Sequence, residues 1–203
     1  MCQSRGYAMK SDRLKNISLF LLVVCILFIV TSGPVAMANT AILEGTAVDV
    51  VQDNLVFSTT VKGALDKKIT EAVKSGMPIT FTFIVKLSMP RGLWFDKNIA
   101  ELKLTNTVKY NHLKEEFTVT EPWNGGKTFV TNSFEQAMDE MCRIRGALLC
   151  KTDLLEKGKK YIVSAKAELE KLTLPLYLHY VFFFVSLWDV ETPWYQVEFT
   201  YPE

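Results

Sequence analysis

The chain has 203 residues with 23 basic and 22 acidic side chains, a formal charge of +1. That balance, spread along the sequence, excludes the concentrated basic face that binding to nucleic-acid phosphates requires. Low-complexity segments and internal repeats are absent, so one folded domain is expected after any leader is set aside.

The first 38 residues read as that leader. Arg5, Lys10, Arg13 and Lys15 precede an unbroken apolar run from Ile17 to Val30, and Ala36-Met37-Ala38 follows it. A basic start, a middling apolar run and a small-x-small triplet are the pattern of a secretory signal peptide. Cleavage after Ala38 is one fate. An uncleaved membrane anchor is a second, although a span needs about 20 apolar residues and Gly33-Pro34 interrupts any extension of the helix. Lipidation at Cys25 is the third, with bulky Val24 where a small residue is usual. The expectation is therefore a signal peptide, or an N-terminal anchor, over 1–38 and a single β-rich domain over 39–203. Its location is periplasmic or otherwise extracytoplasmic, and it touches the membrane only through the N-terminal segment if that is kept. The leader removes four basic residues and one acidic one, leaving 19 and 21 and a formal charge of −2.

The mature part opens with two β-type runs, Ile42 to Val51 and Leu55 to Val61, joined by turn-forming Gln52-Asp53-Asn54. The period then changes: Leu65, Ile69 and Val73 recur at four-residue steps and predict a short amphipathic helix. Gly76 is placed to cap it and Pro78 to stop it. Ile79, Phe81, Phe83, Val85 and Leu87 alternate with polar residues in the clearest strand of the chain. A long companion follows, with Ala100, Leu102, Leu104, Val108 and Tyr110 on one face. Phe117 and Val119 mark another strand, and Asn124-Gly125 a tight hairpin turn into Lys127 to Val130. Asn132-Ser133 with Glu135 or Gln136 forms a capping box for a second helix whose apolar face is Phe134, Ala137, Met138, Met141 and Cys142, with Gly146 ending it. Ala147 to Cys150 reads as a short strand, and Tyr161 to Glu170 as an alternating one. Last come an aromatic run from Tyr177 to Trp188 and a strand through Tyr195, Val197, Phe199 and Tyr201. Roughly eight to ten strands and two helices result. The fold class is α+β, mostly antiparallel β: a sandwich-like or strongly bent sheet with about two helices packed on it.

The order of these landmarks resembles a bacterial family of exported proteins known as domain-of-unknown-function family 4390. The matching features are the early hairpin, the break Ser75-Gly76-Met77-Pro78-Ile79, the long strand ending near Leu93-Trp94, and Tyr110 with Leu113 and Phe117. The helix around Ala137, Gly158 before Tyr161, Leu174-Pro175, and Trp188 with Pro193-Trp194 complete the match. The resemblance implies an exported compartment and a β-rich fold. It supplies no catalytic residue, and Cys142 and Cys150 lie outside its pattern.

Candidate functional residues are few. Cys142 and Cys150 would close a loop of nine residues, a disulfide worth roughly 2.5–3 kcal/mol in the chain-entropy model, if their Cα separation allows it; two separate buried thiols are the alternative. No ligand set for zinc accompanies them, and no metal or cofactor is expected. His112 and His179 lack a G-x-S-x-G, H-E-x-x-H or similar frame and read as ordinary histidines. Glu115-Glu116 and Asp139-Glu140 are sequence neighbours that strand or helix geometry turns apart. Gly125-Gly126-Lys127 lacks the setting of a phosphate loop. Phe182, Phe183 and Phe184 put aromatics on both faces of a strand, and Trp188 and Trp194 are amphipathic residues suited to a rim. Phe182, Phe184, Trp188 and Trp194 are thus the candidate binding residues, and no residue is assigned to catalysis. The sequence-level expectation is a non-enzymatic exported domain that binds an envelope protein or other envelope component. The alternative is a carrier or sensor of an apolar small molecule or lipid using the aromatic C-terminal segment.

Overall fold

A computed structural model of the chain describes residues 41–92, 95–170 and 190–202. The early hairpin is β1 (Ile42–Val51) and β2 (Asn54–Lys62), followed by helix α1 (Lys67–Lys74) and strands β3 (Ile79–Met89), β4 (Lys97–Asn111), β5 (Glu116–Glu121) and β6 (Lys127–Thr131). Helix α2 (Phe134–Met141) leads into β7 (Arg143–Lys151), and β8 (Lys160–Leu169) and β9 (Tyr195–Thr200) complete the described elements. All strand pairings are antiparallel: one sheet has the order β1-β2-β7, the other β6-β5-β4-β3-β8-β9. The fold is α+β and sandwich-like, as the alternation predicts.

Alternation places the core. Phe81, Phe83, Val85 and Leu87 of β3, Leu104 and Val108 of β4, and Tyr161, Val163, Ala165 and Ala167 of β8 line one face of the larger sheet. Leu55, Phe57 and Val61 of β2, with Ile144 and Ala147 of β7, bring the smaller sheet into the same buried cluster. The two helices add Ile69, Ala72 and Val73, and Ala137, Met138 and Met141. Burying side chains of this size is the main favourable term in such a fold.

Local chemistry sets the helix ends. Asp66 caps α1 by accepting from the Ile69 N–H at 2.8 Å. At the other end the Gly76 N–H reaches the Val73 carbonyl (3.0 Å) and the Met77 N–H the Ala72 carbonyl (3.1 Å). That is a Schellman ending, with Gly76 left-handed at φ +84°. Leu65 lies before the cap and is partly exposed, outside the helical stripe assigned to it. Ser133 caps α2 as expected, but Gln136 does not reach back to it; its Oε1 accepts from Thr131 Oγ1 at 2.7 Å instead.

One buried polar residue joins the layers. Asn106, on the core face of β4, is fully buried and donates to the carbonyls of Met141 (3.0 Å) and Arg143 (2.9 Å) at the α2–β7 junction. Its Oδ1 accepts from the Trp123 indole, within the 3-10 turn Pro122–Asn124 that follows β5. That turn and two left-handed glycines, Gly125 and Gly126, replace the tight two-residue hairpin expected there.

The region after α2 differs most from expectation. Gly146 does not end the helix; it sits at φ +63° inside β7, with its N–H donating to Ser58 Oγ at 3.0 Å. β7 therefore runs from Arg143 to Lys151 rather than Ala147 to Cys150. No disulfide forms: Cys142 and Cys150 are both free and buried. A strand rises about 3.3 Å per residue, so these eight steps hold the two Cα atoms roughly 25 Å apart, against the 4.4–6.8 Å a disulfide needs.

Candidate functional site

A groove of about 320 Å³ opens between the end of β2 and helix α2. Val61, Ala64 and Leu65 form one wall, and Phe134, Met138 and Cys142 the other. The walls are tied at the base, where the Val61 N–H donates to the Cys142 carbonyl at 2.8 Å. Phe134 and Met138 stand one helical turn apart and so share a face, and the Ser133 cap fixes where that face begins. Lys62, Glu135 and Asp139 make the rim. Asp139 is engaged by Arg143 on α2's exit side, which leaves Glu135 as the rim carboxylate without an ion pair among the described residues.

The chemistry of this groove is apolar. Burial pushes the Cys142 thiol up to about 12, with Asp139 adding to the rise and Lys62 opposing it. The sulfur stays protonated at neutral pH and serves as wall rather than nucleophile. Burial, then Asp153, also raises the Cys150 thiol. Phe134 continues into an aromatic file: Phe117 at 5.7 Å, Tyr110 at 4.5 Å from Phe117, and His112 at 4.9 Å from Tyr110. Lys74 Nζ lies over the Phe134 ring at 5.2 Å. His112 ends this file against Gly76, where a Cβ would come within 3.0 Å of Nε2. The imidazole is a packing group of the α1 ending.

Of the residues singled out from the sequence, Phe182, Phe184 and Trp188 lie outside the described residues, as do Phe183 and His179. Trp194 is described and 46% exposed. It covers charge on the far face of the larger sheet, with Lys86 Nζ at 5.8 Å and Lys166 Nζ at 5.6 Å from its ring. Lys166 bonds Glu191 and Glu168, each at 3.0 Å, and the Glu191 bond first, then the Glu168 bond, raises its pKa. Among the described residues, Trp194 thus rims an ion-pair network.

A second cleft, of about 510 Å³, lies at the opposite end of β2, beside the β1–β2 turn. Asp53, Lys151, Asp153 and Lys157 line it with Leu155 and Tyr201. Stripping water from four charged side chains makes it a poor host for an apolar ligand. Among the described residues no three His, Cys, Asp or Glu side chains gather as metal ligands, and no helix is long and apolar enough to cross a membrane.

The groove was only half visible in the sequence. Helical spacing puts Phe134, Met138 and Cys142 on one apolar face, but that the face stays partly open is a tertiary fact. Gly63-Ala64-Leu65, small and apolar residues between a strand and a capped helix, was the available signal for the other wall.

The family described as "Domain of unknown function (DUF4390)" matches residues 38–198 of the chain, which therefore belongs to it. No curated protein and no solved structure matches it.

Proposed function

We propose that this member of the DUF4390 family is an exported, non-enzymatic recognition domain of the bacterial cell envelope that binds a protein partner. The observation that carries the reading is the open apolar groove between the β2 end and α2. Its volume of about 320 Å³ suits one or two anchoring side chains, and buried anchors set in pockets supply most of the energy of protein recognition. Glu135 on the rim favours a basic residue beside the anchor. Two of the groups that could carry chemistry have packing roles: His112 seals a helix end, and the Cys142 thiol is held protonated. Export rests on the leader, Arg5 to Lys15, Ile17 to Val30 and Ala36 to Ala38.

A photo-crosslinking residue at position 65, in the native host, tests the recognition role. A discrete crosslinked product is expected, and it weakens when the exposed rim carboxylate is reversed by Glu135→Lys in a chain that keeps its melting temperature. Equal, diffuse labelling from position 65 and from the exposed position 113 counts against it. Mass spectrometry of the native N-terminus tests export, with Asn39 as the expected first residue.

The same groove supports a second reading, a carrier of an apolar small molecule, since its volume lies at the low end of ligand pockets. Saturable, stoichiometric uptake of a fluorescent naphthylamine that is unchanged by Glu135→Lys would favour that reading over a protein partner.

A further inference from the structure

Among the described residues the four outer strands of the two sheets are β1, β7, β6 and β9, and they are not equally protected. Strands at sheet edges offer unpaired N–H and C=O groups, which natural proteins guard with lysines, prolines, bulges or short length. β7 carries Arg143, Arg145 and Lys151 and is interrupted at Gly146. β6 has five residues and begins with Lys127. β9 has six and stands between Pro193 and Pro202. β1 has ten residues, no lysine, arginine or proline, and among the described residues pairs with β2 alone.

Its irregularity lies at one end. The register shifts between Glu44 and Ala47, around left-handed Gly45, and Ala47 to Val51 then pair without a break against Ser58 to Asn54. Ile42, Val50 and Val51 are 49%, 53% and 52% exposed. Val50 and Val51 are neighbours and so point to opposite faces of the sheet, which offers aliphatic surface above and below a strand laid alongside. The only ionisable groups on β1 are Glu44 and Asp49, both acidic.

We infer that β1 is a strand-addition site that takes an extended segment of another protein in which basic residues alternate with aliphatic ones. Main-chain hydrogen bonds along Ala47 to Val51 supply the common part of the affinity, and side chains on alternate positions supply the selection. Glu44 and Asp49 select basic residues, because like charges directly across a ladder are unfavourable. The same two carboxylates disfavour a second copy of this chain, whose β1 would bring its own acidic residues against them. The site is separate from the groove, so the loss of a groove partner leaves it standing.

The test is hydrogen–deuterium exchange of the full chain with a blocked peptide of alternating lysine and valine. A glutamate–valine peptide and a copy of the lysine peptide N-methylated on alternate residues serve as controls. Slowed exchange confined to residues 42–51 is expected with the lysine peptide only. Charge reversal with Glu44→Lys and Asp49→Lys, both on exposed side chains, should move the preference to the glutamate peptide by on the order of ten-fold. Several outcomes overturn the inference: equal protection by the N-methylated peptide, protection of β6, β7 or β9 instead, or no protection at all. Slow exchange of the outward amides of β1 without peptide would also overturn it, since the edge is then already occupied within the chain or by a second copy.

Discussion

Asn106 and Trp123 are joined by a 2.8 Å hydrogen bond from the indole N–H to the amide oxygen. With its two N–H groups committed to the Met141 and Arg143 carbonyls, this buried amide has a partner on every side. It ties the middle of β4 to the turn after β5 and to the entry of β7. Replacing it by Asn106→Leu, alike in branching and heavy-atom count, leaves an indole N–H and two carbonyls without partners. Each unsatisfied buried group costs about 1–3 kcal/mol, so a loss of about 3 kcal/mol or more is expected in urea unfolding. Trp123→Phe, which leaves the buried Asn106 Oδ1 without its donor, should cost about 1–3 kcal/mol by the same rule. A double variant less destabilised than the sum confirms that the two act as a unit.

The β1–β2 turn stores strain. Gln52 and Asp53 both have positive φ, 47° and 62°, the backbone of a turn type that asparagine and glycine fill most easily. The Asp53 carbonyl accepts from the Thr152 N–H and hydroxyl, and these bonds survive a change of side chain. Gln52→Asn with Asp53→Gly should therefore raise stability by about 1 kcal/mol, read as a higher melting temperature.

Gly76 fails twice if it gains a side chain. Its φ of +84° disfavours any Cβ, and that Cβ would meet His112 Nε2 at 3.0 Å. Gly76→Ala should cost about 1–2 kcal/mol from the backbone alone, and more while His112 is in place. Adding His112→Ala should recover the steric part and leave the backbone part. Full recovery, or none, would show that one of the two causes is absent.

Cys142 makes a pH prediction with a definite sign. Its folded-state pKa of about 12 stands above the ordinary thiol value of 9.0, so the unfolded chain loses this proton first. The stability this thiol contributes is complete below pH 9 and is lost as pH rises from 9 toward 12. Comparison of wild type with Cys142→Ala isolates the effect: wild type should lose more stability over that interval. Because both thiols are free, reductant should leave the melting temperature unchanged.

Periodicity and caps made much of the fold legible. The alternation of Ile79 to Leu87 located β3, and Ser75-Gly76-Met77-Pro78 announced the end of α1, because both are consequences of local backbone geometry. The cysteine pair stays ambiguous in the sequence, disulfide or two buried thiols, because nine residues can be a tight loop or an extended strand, and only pairing of β7 with β2 decides between them. Asn106 was legible in principle. It interrupts the apolar file between Leu104 and Val108, and a polar residue at a core position signals a specific partner. The groove was less so, since an apolar helix face looks the same whether its neighbour covers all of it or part.

The sheet β1-β2-β7 joins the first hairpin, which ends at Lys62, to a strand that begins about 80 residues later at Arg143. As the chain is made, the first hairpin emerges with neither β7 nor the core it will cover. At 5–20 residues per second that interval is roughly 4–16 s, during which both of its edges are open rather than one. Isolated hairpins are only marginally stable, so the first strands synthesised are among the last to be secured. A stall or truncation before Arg143 would release the least guarded segment of the molecule with nothing to hold it.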